Sequence, residues 1–585
     1  MLNGSTLNGA TLNGGAGSIQ QIQIGTAPAF VWQAMVTLGG VDVTALLIGA
    51  VTVDREEGAA GVADFALHYP PGADVPADIT DRAVTIDLIS IASGETTQTR
   101  LFTGVAAEPV WNALSRTMAV TCTDNLQQRV EALSVDAVDA LVEGQWSLDV
   151  FDPLDGRSRW DYAVERLQSR QASLDCSPHG NLRVTSWYSE QQPHVLFGAG
   201  TTLYESIGVE LAQLSSVTNR VELEIAYRYS RFRERRQQYS WIHPNTGGLG
   251  GLGGFCAWRS DDTELPTTEM VIDAAKDGGL TPVAASYYRL PPSMGNPCGD
   301  GSPWINSFDN LLLGASWTGA TRWVQTVTET YSLTLATAAG TIEGQQVIAR
   351  DGTSFEVEAP EGWEESLTSI DPDATDDEVA GDESPELGDP GDRDDEPRRL
   401  AALHLQLAMA HTTLIAAHRQ TRVTWSAPTP MVLGIDLIHT LEIDDQYIRA
   451  RGKCSRRVDK LDFDSGECIT DLTISVMRGG GESDPLIIPA RPGVLPAEPE
   501  QNPAREVISD TLPTQLGGKL ASPAYDEAKP GFSGNYTNVE DLTLETFPRR
   551  LDGQVAEIPA ADRDEYTATA AQLYRVGIPN DLLEL

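Results

Sequence analysis

Apolar and polar residues alternate with a period of two over long parts of this chain. Val84, Ile86 and Leu88 alternate with polar neighbours at the start of a segment running from Ala83 to Asp124. It continues through Leu101-Phe102-Thr103-Gly104-Val105 to Thr117-Met118-Ala119-Val120-Thr121-Cys122. The pattern returns between Val423 and Met477, where Tyr447 to Lys453 leads to the turn Leu461-Asp462-Phe463-Asp464-Ser465-Gly466 and a return strand, Ile469 to Val476. Alternation on both sides of an Asp/Ser/Gly turn predicts twisted hairpins with one buried face. Upstream, Phe30, Trp32, Ala34 and Val36 alternate, Gly39-Gly40 turns the chain, and Ile48 to Val53 and Ala63 to Leu67 resume the pattern. Residues 29–140 therefore read as a first β-barrel domain, and 397–478 as a helix leading into a second.

Between them the period changes. Trp160, Ala163, Val164 and Leu167 fall at helical spacing, and a strand from Asn181 to Tyr188 follows, so 141–242 reads as a small α/β domain. It closes on a strand with Val221, Leu223, Ile225, Tyr227 and Tyr229 on one face, running into Arg231, Arg233, Arg235 and Arg236. Residues 243–360 form an insertion rich in Gly and Trp. The tract 361–396 holds 16 acidic residues against one Arg and is expected to be a disordered loop, having too little apolar surface to offset its ordering entropy. In the helix after it, Leu403, Leu407, Ala410 and Leu414 make one apolar stripe. His404, His411 and His418 recur on a neighbouring stripe, two turns or roughly 10 Å apart, too far for two of them to share one metal ion.

The ends differ in kind. Leu-Asn-Gly opens the chain three times, with Leu2, Leu7 and Leu12 as regularly spaced pegs, so residues 1–28 read as an extended docking arm; a frayed terminus has the same composition. Residues 479–530 are Pro-rich and read as a linker, and 531–585, which lack a strong period, as a tail laid on a partner.

The formal net charge of -43 argues against a duplex-binding surface, which needs clustered Lys and Arg. The acidic tract contributes -15 of it, which leaves -28 for the rest of the chain. The Arg231 to Arg236 cluster is more economically read as pairing with an acidic neighbouring subunit than with nucleic acid. The start lacks the basic and apolar regions of a secretory signal and no run approaches the roughly 20 apolar residues that cross a bilayer, so the expectation is a protein made in a cytoplasm.

Candidate chemistry is sparse. Gly248-Leu249-Gly250-Gly251-Leu252-Gly253 satisfies the dinucleotide fingerprint in letters, but Phe255-Cys256-Ala257-Trp258 follows where a helix should begin. No nucleophile elbow, zinc helix or phosphate loop occurs, and the expectation is no enzyme, no catalytic residue, no metal and no cofactor. Asp371, Asp373 and Asp376 lack the glycine and terminal glutamate of a calcium loop. Of the six cysteines, Cys256 and Cys298 are the candidates for a disulfide, with two unrelated thiols as the alternative in a reducing cytoplasm. Cys454 is expected to face Thr473 to Ser475 and Cys468 to face Leu461, so these two are not cross-strand partners. Trp304, Trp317 and Trp323 could serve as host contacts if exposed, or as buried anchors.

The strand ending in Phe102-Thr103-Gly104, the early barrel and the late Gly452-Lys453 hairpin together resemble the baseplate hub, or tail tip, proteins of tailed bacteriophages, whose relatives cap type VI secretion tubes. The resemblance covers roughly Ala29 to Ser240 and Leu400 to Met477. It implies a mainly β fold with an α+β insert: two tail-tube-like β-barrel domains, a small α/β domain and extended terminal segments. It further implies a homotrimer whose six barrels continue a hexameric tail tube. Such a hub caps the tube, meets the distal tail protein and the tape measure protein, anchors tail fibres or a central tip protein, and passes DNA without binding it stably. The location implied is the virion tail tip, after assembly in the host cytoplasm. A host-surface glycan adhesin and a tail-associated murein hydrolase are the alternatives.

Overall fold

The computed structural model describes residues 22–24, 30–92, 95–213, 217–242, 268–289, 312–341, 347–370, 379–380, 387–493, 505–511 and 555–585. The fold is mainly β, built on two large sheets, with a small α/β unit beside them.

The first barrel follows the predicted alternation. Its strands lie in the order Phe30–Leu38, Ala83–Ala92, Glu95–Asn112, Thr117–Thr123, Val62–His68 and Leu47–Glu56. The inward positions Ala34, Val36, Val53, Phe65, Ile86, Phe102 and Val120 share one core. In the second barrel, Thr421–Pro428, Thr440–Asp445, Ile448–Asp462 and Cys468–Val476 close around Trp425, Leu441, Ala450 and Ile474. This barrel is not confined to 397–478. It takes in the distant strands Ile22–Ile24, Val195–Phe197 and Gly208–Glu210, because each open edge of a sheet must be paired or covered.

One strand belongs to both barrels. Along a single edge of Ile448–Asp462, residues 448–453 pair with Thr440–Asp445, and after a bulge at Cys454/Arg456 residues 456–462 pair with Leu47–Glu56 of the first barrel. The opposite edge is held by Cys468–Val476. The bulge lets one strand bend from one barrel wall into the next.

Residues 126–186 form the α/β unit, in which helices Leu126–Glu131, Val135–Val142 and Arg159–Leu167 pack on the hairpin of Ala172–Cys176 and Leu182–Ser186. Ser134 and Ser158 cap the second and third helices through their side chains.

The domain boundary expected at 242/243 cuts through a single object. Arg220–Ile242 pairs along its whole length with part of Leu312–Thr337, from Arg220↔Ala336 to Ile242↔Gly314, a ribbon roughly 75 Å long at about 3.3 Å per residue. Ile348–Glu356, Gly391–Arg393 and Arg505–Thr511 cover the outer edge of its first strand in succession. Thr281–Arg289 and Tyr566–Val576 cover the outer edge of the second. The helix Glu396–Ala417, capped by Asp395, lays Leu403, Leu407, Ala410 and Leu414 on Val221, Leu223, Ile225 and Leu333. By length and mean hydropathy this helix could cross a membrane, contrary to the sequence expectation; ten of its residues are buried, most of them against the ribbon.

Three further expectations are corrected. The acidic tract is not one unattached loop, because Trp363 is buried and stacks on Phe232 with ring centroids 4.7 Å apart, and Asp392 pairs with Arg231. The Pro-rich segment is more than a linker: Asp484 N–H donates to Arg575 O, and Arg491 binds Glu329. The last residues lie on this chain itself, through Tyr566–Val576 on the ribbon and Leu583–Glu584 on the shared strand. A ribbon this long has edges that must be paired or covered, and here strands from elsewhere in the chain cover them.

Candidate functional site

The barrels and the α/β unit meet at Asp436, just before Thr440–Asp445. In Leu47–Glu56, Val51 and Val53 point inward, and Arg55 occupies the next inward position. Its Nη1 donates to Asp436 Oδ1 at 2.7 Å. Arg183, on the α/β hairpin, donates to both Asp436 oxygens and through Nε to Asp175 Oδ1 at 2.6 Å. Burial alone would raise the Asp436 pKa, but the Arg55 and Arg183 cations outweigh it and hold the carboxyl well below its ordinary range. Asp175 behaves in the opposite way: burial lifts it to about 6 despite Arg183.

A second layer lies behind. His439 Nδ1 accepts from Asp436 N–H at 2.9 Å, and His194 Nδ1 accepts from Thr440 N–H at 3.0 Å, so both rings are held neutral with their protons on Nε2. The ring centroids are 5.2 Å apart. Burial lowers the His439 pKa to about 3 and that of Lys453, whose Nζ donates to Ile438 O, to about 8. Arg457 donates to Val432 O, Ile435 O and both Asp459 oxygens, and Asp459 also accepts from Thr470 Oγ1. Most of these groups pair with one another away from solvent, although Arg55 Nε, Asp175 Oδ2 and His439 Nε2 are buried without a hydrogen-bond partner, and the pairing suits them to fixing the angle between three units.

Two glycines of the resemblance acquire a physical reason here. A Cβ on Gly104 would sit 2.2 Å from Thr123 O, and one on Gly452 would sit 2.3 Å from Ser475 O. Each is the point where neighbouring strands approach too closely for any side chain.

The residues singled out from sequence are dispersed. Leu2, Leu7, Leu12, Cys256, Cys298 and Trp304 lie outside the described residues. Trp317 is buried and stacks on Tyr239, and Trp323 is buried with Nε1 donating to Asp562 O, so neither offers a ring to a host surface. Cys454 faces Ile474 and Cys468 faces Leu461, as the turn position predicts. Within this chain the Arg stem pairs with carboxylates: Arg231 with Asp392, Arg233 with Asp562, Arg235 with Glu506 and Arg236 with Glu234. His418 Nδ1 lies 3.1 Å from Arg478 O, serving the helix end. Sequence reasoning missed Arg55, Arg183 and Asp436. The one signal available was Arg55, a charge in an apolar register.

No protein-family profile and no curated protein matches the chain. Among solved structures it is similar to the tail protein from Neisseria meningitidis MC58, at 10% identity over 76% of this chain and 96% of that one, with a TM-score of 0.36. It is also similar to the 43 kDa tail protein of prophage MuSo2 from Shewanella oneidensis, at 9% identity over 76% and 98%, TM-score 0.36. A third similarity is to a Francisella PdpA–VgrG complex, at 9% identity over 77% of this chain and 53% of that one, TM-score 0.26.

Proposed function

We propose that this chain is a non-enzymatic structural subunit of a bacteriophage tail tip, a homotrimeric hub that caps the tail tube. The observation that carries the reading is the shared strand Ile448–Asp462, which joins two barrels side by side in one sheet, with the Asp436 ion network fixing the third unit against them. A pair of rigidly coupled barrels is the repeat that three chains need to present six barrels to a sixfold tube. In this reading the hub meets the distal tail protein or tail tube and the tape measure protein, and anchors a fibre or central tip protein. DNA passes its lumen unbound: the net charge of -43 repels phosphate, and Arg231, Arg233, Arg235 and Arg236 already face carboxylates.

Mass measurement of the purified chain, followed by electron microscopy of the particle, tests it. The expected result is a trimer with a central opening ringed by six barrels. A folded monomer at high concentration, or a ring without threefold symmetry, overturns it.

A further inference from the structure

At one end of the second barrel two loops hold a pair of tyrosines in solvent. The turn joining Thr440–Asp445 to Ile448–Asp462 has Gln446 and Tyr447 at its centre, both with positive φ (49° and 68°), positions that Asn and Gly usually fill. Glu205, in the facing loop, is also left-handed at φ 59°.

A dense set of hydrogen bonds fixes this backbone. Gln446 Oε1 accepts from Glu205 N–H at 3.0 Å, and its Nε2 donates to Thr202 Oγ1 and Leu203 O, each at 2.9 Å. Asp445 Oδ2 accepts from Gly200 N–H and Thr202 Oγ1. Yet Tyr204 and Tyr447, which these loops carry, are 83% and 102% exposed. Gln446 offsets its left-handed backbone with these hydrogen bonds, but at Glu205 and Tyr447 the exposed side chains bring no packing in return, and such positions gather where a surface is preorganised for a partner.

The rest of the molecule shows what such a pair accepts. Arg166 lies over Tyr162 and pairs with Asp139, Arg399 lies over Tyr331 and pairs with Glu396, and Arg491 lies over Tyr229 and pairs with Glu329. At the rim the tyrosines and carboxylates are present, but among the described residues no Arg lies over the ring of Tyr204 or Tyr447. Glu205 is exposed beside Tyr204, and the Asp444 side chain, near Tyr447, is 65% exposed, with Arg449 drawn closer to Glu442 (3.2 Å) than to Asp444 (4.0 Å).

We propose that this rim is a docking site for an arginine-bearing basic segment of another polypeptide, whose guanidinium groups stack on Tyr204 and Tyr447 and pair with Glu205 and Asp444. The charge of -43 favours a basic partner in the same direction. The proposal stands on the rim alone and not on the hub reading, so either can fail without the other.

The test uses the full chain and a fluorescent alternating Arg-Gly peptide, titrated at low and physiological salt. The Tyr204→Ala/Tyr447→Ala double variant keeps the net charge and, since both rings are exposed, the fold, which its melting curve checks. Binding is expected to weaken about tenfold in that variant, to persist in Tyr204→Phe/Tyr447→Phe, and to weaken again in Glu205→Gln/Asp444→Asn. Equal binding by wild type and the alanine variant would reduce the interaction to bulk charge and overturn the proposal. So would absence of peptide binding, or a neutral oligosaccharide being the only probe that the alanine variant loses.

Discussion

Arg55 Nη1 lies 2.7 Å from Asp436 Oδ1 across 381 residues of sequence, an ion pair linking the wall of the first barrel to the second. Asp436 also carries Arg183 of the α/β unit. Replacing Asp436 by Ala would leave the buried Arg55 without its anion and Arg183 with Asp175 alone, at a cost of about 3–5 kcal/mol. Calorimetry should show a lowered barrel transition, and the triple change Asp436→Leu/Arg55→Met/Arg183→Met should recover much of the loss. An unchanged transition in Asp436→Ala would show that the units are held by strand pairing alone.

The His439 site gives a pH dependence with a definite sign. Its folded pKa is about 3 against an ordinary 6.5, so between those values the unfolded chain takes up a proton that the folded chain refuses. Stability from this group therefore falls as pH falls, by about 1.4 kcal/mol per unit. Asp175 acts in the opposite sense between 3.8 and about 6, because its folded form keeps a proton that the unfolded form has lost. The two slopes offset each other in wild type. His439→Asn, whose side-chain oxygen can still accept from Asp436 N–H, should gain stability relative to wild type at about 1.4 kcal/mol per unit as pH drops from 6.5. Parallel stability curves for the two proteins would refute the assignment.

Gly104 and Gly452 should be intolerant of even a methyl group. With the added Cβ at 2.2 Å and 2.3 Å from the carbonyl oxygens of Thr123 and Ser475, the strands must separate. Gly104→Ala and Gly452→Ala are expected to lose about 3 kcal/mol or more, beyond the usual range for point changes. Gly466→Ala is a control of a different kind: a Cβ there meets nothing within 4 Å, and the penalty comes only from its φ of +77°. A smaller loss at Gly104 or Gly452 than at Gly466 would contradict the close approach.

Alternation made both barrels legible because each strand buries one face, so Val84, Ile86 and Leu88 announce the fold on their own. The facing of Cys454 and Cys468 could be counted from the turn for the same reason. The ribbon was half legible: Val221 to Tyr229 marked its first strand, but the second, Leu312–Thr337, has a more even mixture of Thr, Ala and aromatic residues whose pairing is set some hundred residues away. The ion network was illegible. Asp436 and Arg183 look like any surface charges until three separately folded units bring them together, and in a chain with 84 acidic residues no single carboxylate stands out. At the tail, the absence of a strong period hid the strand Tyr566–Val576, which pairs with this chain's own ribbon.

Residues 566–585 should therefore be needed for stability as well as for any assembly. Tyr566–Val576 pairs in parallel with residues 327–337, and Tyr574, Val576 and Ile578 are buried in the ribbon's core, each worth roughly 1.5–3 kcal/mol. Asp581 then binds Met477 N–H at 2.9 Å and the Ser189 hydroxyl, tying the end of the second barrel to the segment after the α/β unit. Ending the chain at Arg563 would uncover an eleven-residue edge with few charges, which is a template for pairing with another chain. The truncated protein is expected to melt lower and aggregate on heating, while Asp581→Ala alone, which leaves the edge covered, should lose about 1–3 kcal/mol without aggregating. If the truncated chain melts as the full one does, the segment is a tail awaiting a partner, as its composition first suggested.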